Sequence, residues 1–461
     1  VHDGAALPRR SSPLVTVIEA EARRLPAWKP AAWGIGQIAG QMFRDVPSLL
    51  LLFYMTQVLG ISPGLAGTAI FVPKLFLAVV FDYAVGVASD RWRDRFERRH
   101  FLLIGAALSP FALVLLFGTP GATSEMGKAL HVSLVLALYM AVYAIFSVPH
   151  FGIGAELSDR PEVRTAVMAW RVAFSGAGLL IGNAIAPRLI ESRGGGAAGY
   201  EFMALVLAGI CAVTLIIAWL GSAEAPRAEA QRRARKPTGN MKALFSDRNA
   251  LAVLGALLLT LTASGLAYAT LVYLFTFNLA FATPLATLSN MVLITAVTAM
   301  AIQPVWVKTI NVIGKKLAFV LASIGYSGGL IVMTLGGEGV TWTVYLAGVM
   351  MGLFNSAGYL SALSMLTDVI EADAKRTGVS RSGFYAALFA VVDKIGFALG
   401  GTLLAGWALG AFGFEAARTT QSETALSGVV FAFAWAPGVL NLAALLVLAR
   451  FYRLQHNAAA A

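Results

Sequence analysis

The residues of this chain suited to chemistry are charged groups set inside long apolar runs. Asp45 stands beside Arg44 in QMFRDVPS, and Lys74 and Asp82 share one run. His150 follows Pro149, Arg171 opens WRVAFSGAG after its tryptophan, and Asp393 and Lys394 are neighbours in VVDKIG. An ionisable group in such a run is costly unless it meets a partner or a watery cavity. Groups of this kind bind a charged solute, hold a coupling cation or exchange a proton. They do not form an enzyme's constellation, because no nucleophile and base or set of metal ligands is spaced for one. The single cysteine, Cys211, lies within an apolar run, and the five histidines (His2, His100, His131, His150, His456) are scattered. No enzymatic activity, cofactor or metal centre is expected.

The elements that must position these charges are membrane helices. Of 461 residues, 58% are hydrophobic and only 13% charged, against roughly a quarter charged in soluble domains. Windows of about 20 apolar residues fall near 32–58, 63–89, 101–119, 129–157, 165–190 and 200–221, and again near 249–278, 284–307, 316–335, 341–368, 383–411 and 428–449. The fold class is therefore an all-α membrane protein of twelve transmembrane helices. The organisation predicted is a tail over 1–30, a six-helix bundle over 31–222, a linker over 223–248, a second bundle over 249–450 and a tail over 451–461. The tail before the first span is polar and proline-rich, with a short amphipathic helix expected around Val15 to Leu25.

The net charge of +11 does not point to nucleic acid, since the basic residues gather in short loops between apolar runs. Arg91, Arg93, Arg95, Arg98 and Arg99 follow span 2, Arg160 and Arg164 follow span 4, Lys308, Lys315 and Lys316 follow span 8, and Lys375, Arg376 and Arg381 follow span 10. The alternate loops are nearly bare. This bias places both termini in the cytoplasm, and the composition suggests a bacterial inner membrane. Six spans, a central basic linker and six more describe the major facilitator fold, in which two bundles enclose a cavity. A small-molecule substrate and the lipid bilayer are the expected partners of a monomeric chain.

Helix geometry constrains which charges share that cavity. Neighbouring residues point about 100° apart, so Arg44 and Asp45 cannot both face it, nor Asp393 and Lys394. The reading puts Asp45 and Lys394 in the cavity and gives Arg44 and Asp393 to structure. Lys74, Ala78 and Asp82 fall on one face of span 2, with Lys74 and Asp82 about 12 Å apart along the axis.

GIGQIAGQMFRD in span 1, DYAVGVASDR in span 2, YAIFSVPHFGIGAEL in span 4, WRVAFSGAG in span 5 and TDVIEADAKRTGVSRSGFYAALFAVVDKIG around span 11 resemble the glycoside–pentoside–hexuronide:cation symporters, the melibiose permease-like family, over nearly the whole chain. The resemblance implies that Asp45 and Arg171 bind a sugar. It implies that Lys394 lies near the substrate and cation sites, and that Asp82 is one of two span 2 carboxylates holding the coupling cation. Two of the family's three carboxylates are missing, since those positions are Ala78 and Ser147, and a threonine of the cation site is Ala144. Ser147 then stands as a substrate-site residue without its charge.

These losses argue against sodium and for a proton. Asp82 can exchange a proton, with His150 as a relay. Alternatively, Lys74 can serve as a tethered cation. The remaining cavity charges lean positive, which favours an anionic solute such as a uronide or a sulfonated sugar. The alternative is a lysophospholipid or other amphiphile, carried by animal members of the family. Alternating access requires locks on the basic-loop side. Asp90 and Arg91 after span 2, and Glu156, Arg164, Asp368 and Arg376 at span ends, are the gating candidates between the halves.

Overall fold

A computed structural model describes residues 28–92, 96–157, 161–223, 247–378 and 381–453. The expected helix at Val15 to Leu25, the body of the central linker and the end of the tail fall outside these residues. Among the described residues there are twelve long helices and no strands. With no water available in a bilayer core, a helix is the element that satisfies every backbone group within one segment.

Helix α1 comprises Trp28–Gly34 and Gly36–Phe53 and ends in the π-helical turn Tyr54–Val58; α2 is Pro63–Arg91, α3 His100–Phe117, and α4 Glu125–Glu156. Helix α5 runs from Pro161–Leu180 through a π turn at Ile181–Ile185 into Ala186–Glu191, and α6 is Gly196–Gly221. The second half repeats the plan. It has α7 (Arg248–Tyr273 with a π turn at Leu274–Asn278), α8 (Pro284–Ile313), α9 (Lys315–Thr334) and α10 (Thr341–Thr377). Helix α11 follows (Ser382–Ala398, π turn Leu399–Leu404, then Ala405–Ala411), and then α12 (Glu423–Val430, π turn Phe431–Trp435, then Ala436–Phe451). Eleven of these are long and apolar enough to cross a membrane. The exception is α1, whose Gln37, Gln41, Arg44 and Asp45 lower its hydropathy.

Several helices outrun the spans expected from sequence. Helix α10 continues to Thr377, where charged side chains such as Glu371 and Lys375 pair on its surface at 2.7 Å. Starts are fixed by ordinary chemistry. Ser124, Asp247 and Ser422 accept backbone N–H groups of α4, α7 and α12, satisfying donors with no partner within the helix. Pro284 opens α8, where a missing N–H costs nothing.

The ends of α1 and α7 match closely. Leu59 N–H reaches the Tyr54 carbonyl at 3.1 Å and Ile61 N–H reaches Met55 at 2.9 Å; Leu279 reaches Leu274 at 2.9 Å and Phe281 reaches Phe275 at 3.2 Å. The residue between each pair has positive φ, 69° at Gly60 and 44° at Ala280.

The halves meet at this end of the molecule. Thr56 and Tyr273, both fully buried, share a hydrogen bond of 2.6 Å between α1 and α7. Arg188 of α5 bonds Asn290 of α8, and the Glu191 carboxylate accepts from the Ala286 backbone. Helices α2 and α11 cross on glycine: a Cβ on Gly67 would overlap the Thr402 carbonyl, and one on Gly406 the Pro63 carbonyl. One continuous apolar core here joins both bundles, including Tyr54 and Met55 with Phe275 and Phe414. The bundles are thus closed together at the end with the sparsely charged loops, and the space between them is left toward the basic-loop end.

Candidate functional site

A cavity of about 400 Å³ lies between the bundles. Helix α1 contributes Gly36, Gln37 and Gly40, α2 Asp82, α4 Tyr143, Ser147 and His150, α5 Arg171 with Phe151 of α4 beside it, and α11 Lys394. Gly40 adds no side chain to the α1 wall, whereas Gly36 lets Ala218 and His150 pack against the helix, a Cβ there falling 2.8 Å from the Ala218 Cβ and 2.9 Å from His150 Nε2.

The neighbouring face of α1 builds a polar ladder. Gln37, Gln41 and Asp45 recur every four residues and meet α5 rung by rung. Arg171 Nε donates to Gln37 Oε1 at 3.0 Å, and Ser175 Oγ donates to Gln41 Oε1 at 2.8 Å. Asp45 Oδ2 accepts from Gln41 Nε2 at 2.7 Å and from Asn183 Nδ2 at 3.4 Å, and Arg44 Nε donates to Asp45 Oδ1 at 3.0 Å. Asp45 is 8% exposed and lies outside the cavity wall. The expected phase of α1 is therefore corrected. Arg44 follows Gly36 and Gly40 at four-residue spacing and is the exposed member of the pair, while Asp45 turns into the first bundle.

Lys394 forms an ion pair with Asp82, so a residue of the second bundle holds the span 2 carboxylate. Lys74, on the same face of α2 as Asp82, does not turn toward it. Lys74 Nζ instead approaches Ser48 Oγ of α1 at 3.5 Å, because its long stem leans toward the neighbouring helix rather than along α2.

His150 borders the cavity, but its ring is committed. Nε2 lies 2.9 Å from the Trp33 carbonyl, the Trp33 indole N–H donates to the His150 carbonyl at 3.1 Å, and the two rings stack at 4.6 Å. With 3% exposure, it ties α1 to α4, which corrects its expected place in a proton relay. Ser147 lines the cavity one turn before the Trp33-bound segment of α4.

The gating candidates divide. Arg91 is exposed. The side chains of Asp90, Glu156 and Arg164 lie outside the described residues. Asp368 pairs with Lys315 at 2.5 Å, and Arg376 with Asp373 at 2.9 Å and Asp247 at 3.5 Å. These partners belong to the second bundle, so in this structure Asp368 and Arg376 brace one half rather than lock two.

Sequence reasoning passed over Gln37 and Tyr143. Gln37 was legible in principle: two glutamines and an aspartate at four-residue spacing in an apolar run mark one polar face.

A model of the family described as MFS/sugar transport protein matches residues 32–456. The chain belongs to this family. The match bears out the symporter resemblance, the major facilitator fold and a transport rather than enzymatic role. MFS/sugar transport relatives include the inner membrane symporter YicJ of Escherichia coli K12, 24% identical with 92% of each chain covered. A second is an E. coli K12 protein named "Putative 2,3-dihydroxypropane-1-sulfonate exporter", 24% identical with 96% of each covered. The fold is shared with a bacterial homologue of the human lysosomal transporter Spinster, crystallised inward-facing and unoccupied. That likeness has a TM-score of 0.67 at 12% identity, covering 92% of this chain and 95% of the other. The protein is an integral membrane transporter of a small molecule.

Proposed function

We propose that this transporter moves a small polar solute bearing an anionic group, a uronide or sulfonated sugar-like compound, by alternating access coupled to protons rather than sodium. The observation that carries the reading is Arg171. It lines the cavity, its Nε is held by the neutral amide of Gln37, its guanidinium carbon lies 4.9 Å from the Phe151 ring centroid, and among the described residues it has no carboxylate partner. A guanidinium fixed in place with its charge uncompensated is suited to a carboxylate or sulfonate. The cavity wall as a whole carries Arg171 and Lys394 against the one carboxylate of Asp82. The sulfonate in the name of one relative agrees with this chemistry.

Asp82 is the coupling group in this reading. A sodium ion takes several oxygen ligands, and among the described residues no second carboxylate lines the cavity beside Asp82. A proton needs one site, which Asp82 offers once Lys394 withdraws. The basic loops set both termini in the cytoplasm of a bacterial inner membrane, and the cavity then faces inward. Each chain contains both bundles and the whole cavity, so a monomer suffices.

The test is ligand-induced thermal stabilisation of the purified protein, followed by uptake into proteoliposomes. Anionic sugars are expected to raise the melting temperature by mass action, and an inward proton gradient is expected to drive their uptake with no response to sodium. Asp82→Asn should abolish gradient-driven uptake while leaving counterflow exchange. Stabilisation by neutral glycosides or lysophospholipids alone would overturn the anionic reading, and sodium-driven uptake would overturn the coupling.

A further inference from the structure

The cations set inside the helices are partnered unequally. Arg44 Nε is taken by the Asp45 carboxylate at 3.0 Å, and Lys394 is paired with Asp82. Arg171 is given an amide, its Nε donating to Gln37 Oε1 at 3.0 Å. That amide stands where a carboxylate would serve. Gln37 opens the series Gln37, Gln41 and Asp45 along one face of α1, and the series reaches its carboxylate only about two turns beyond the Arg171 rung. A glutamate at the first position would fill the volume of the glutamine and accept the same bond, more strongly because both partners would be charged.

Two contacts fix the Arg171 guanidinium. Gln37 holds it by the Nε edge, and the Phe151 ring lies against it with 4.9 Å between the guanidinium carbon and the ring centroid. Among the described residues its two terminal nitrogens have no partner, and they are the fork that meets an oxyanion in a bidentate manner. The Gln37 Nε2 has no partner there either, so a neutral donor stands beside the fork. Gln37, Phe151 and Arg171 all line the cavity. All three belong to the first bundle, so the receptor is complete within one half.

We propose that Gln37 is a positioning residue that determines specificity: by holding Arg171 with an amide in place of a carboxylate, it orients the guanidinium without neutralising it and reserves the fork for a carboxylate or sulfonate of the solute. The assignment rests on the anionic reading above and names the residue that enforces it. A solute without an anionic group leaves the fork unmatched in the cavity, and that mismatch discriminates against neutral sugars. With a carboxylate at the same position the charge would be satisfied in advance, and the discrimination would be lost.

The test is equilibrium binding of two matched pairs to the full-length protein in detergent: 2,3-dihydroxypropane-1-sulfonate with glycerol, and glucuronate with glucose. Wild type should prefer each anion to its uncharged counterpart. Gln37→Glu, the substitution that changes shape least, should weaken both anions about 30-fold or more, as expected for loss of hydrogen bonds to a charged group. It should not weaken the neutral compounds or lower the melting temperature, so the preference collapses. Gln37→Leu, which removes the acceptor and adds no charge, should weaken the anions about 5-fold. A lowered melting temperature with all four compounds weakened alike would mark a merely structural role and overturn the assignment. Wild type with no preference for either anion would sink both the assignment and the anionic reading. A wild-type preference that Gln37→Glu keeps within about threefold would sink the assignment alone. Should Gln37→Glu fail to fold, Gln37→Leu decides, and unchanged anion affinity in it rejects the assignment.

Discussion

Lys394 of α11 and Asp82 of α2 form an ion pair across the interface between the two bundles. The two residues are 312 positions apart in sequence and come together only because the halves dock. Lys394 is 43% exposed and Asp82 28%, so water reaches the pair and its partners can separate. This is the arrangement required of a charge that must change partners during transport.

Removing one member should cost more than removing both. Lys394→Ala leaves a carboxylate without its counter-ion at the bundle interface. The loss from deleting one partner of a fully buried pair is several kcal/mol, and partial exposure reduces it here to about 1–2 kcal/mol. The double variant Asp82→Asn with Lys394→Gln should recover most of that loss. Melting temperatures in detergent provide the comparison, and a double variant no more stable than Lys394→Ala would show that the pair is not coupled.

The glycine crossing of α2 and α11 should control which side is open. Any side chain at Gly67 meets the Thr402 carbonyl, so Gly67→Val should hold the halves apart at that end. On a Cys211→Ala background, a cysteine at Asn290 should be labelled by a water-soluble maleimide at least several-fold faster in this variant. Equal rates would mean that the crossing bends without opening the interface.

His150 should matter to stability and not to the pH profile. Its ring Nε2 bonds the buried Trp33 carbonyl, and leaving that carbonyl without its partner costs about 1–3 kcal/mol. His150→Phe should therefore melt earlier. In proteoliposomes, the residual uptake should keep the wild-type dependence on pH. A shifted profile would return the imidazole to the proton path.

Lys315 and Asp368 should behave as an intrabundle brace. Lys315→Glu should lower the melting temperature, and Asp368→Lys in the same chain should restore it. Failure of the swap would mean that other neighbours determine the stability of this corner.

Much of the architecture was legible because the bilayer leaves few choices. Twelve apolar runs read as twelve helices, and the basic linker divides them. What the sequence leaves open is rotational phase and docking. Arg44 and Asp45 are equally polar, and their order around α1 follows from partners outside the local pattern: Asp45 turns toward Asn183 of α5, which leaves Arg44 the exposed member. The pairing of Asp82 with Lys394 depends on how two separately folded bundles meet, and no local pattern encodes that. Lys74 misleads for the same reason, since helical spacing says which face it leaves from but not toward which neighbour its long stem leans. Asp368 and Arg376 show the converse: their place at a helix end is evident, whereas their partners Lys315, Asp373 and Asp247 emerge only from the packing of the second bundle.

The two matching corners, α1 into α2 and α7 into α8, share a hydrogen-bond pattern but place different residues at the turn. Gly60 occupies its left-handed conformation freely. Ala280 carries a Cβ into the same region at φ 44°, where an L-residue pays roughly 1–2 kcal/mol. The first corner is slack and the second is a loaded spring, kept in place by the Leu279 and Phe281 hydrogen bonds that close it. The strain that Ala280 carries has no counterpart at Gly60, so two corners that share a hydrogen-bond pattern are unequal in energy.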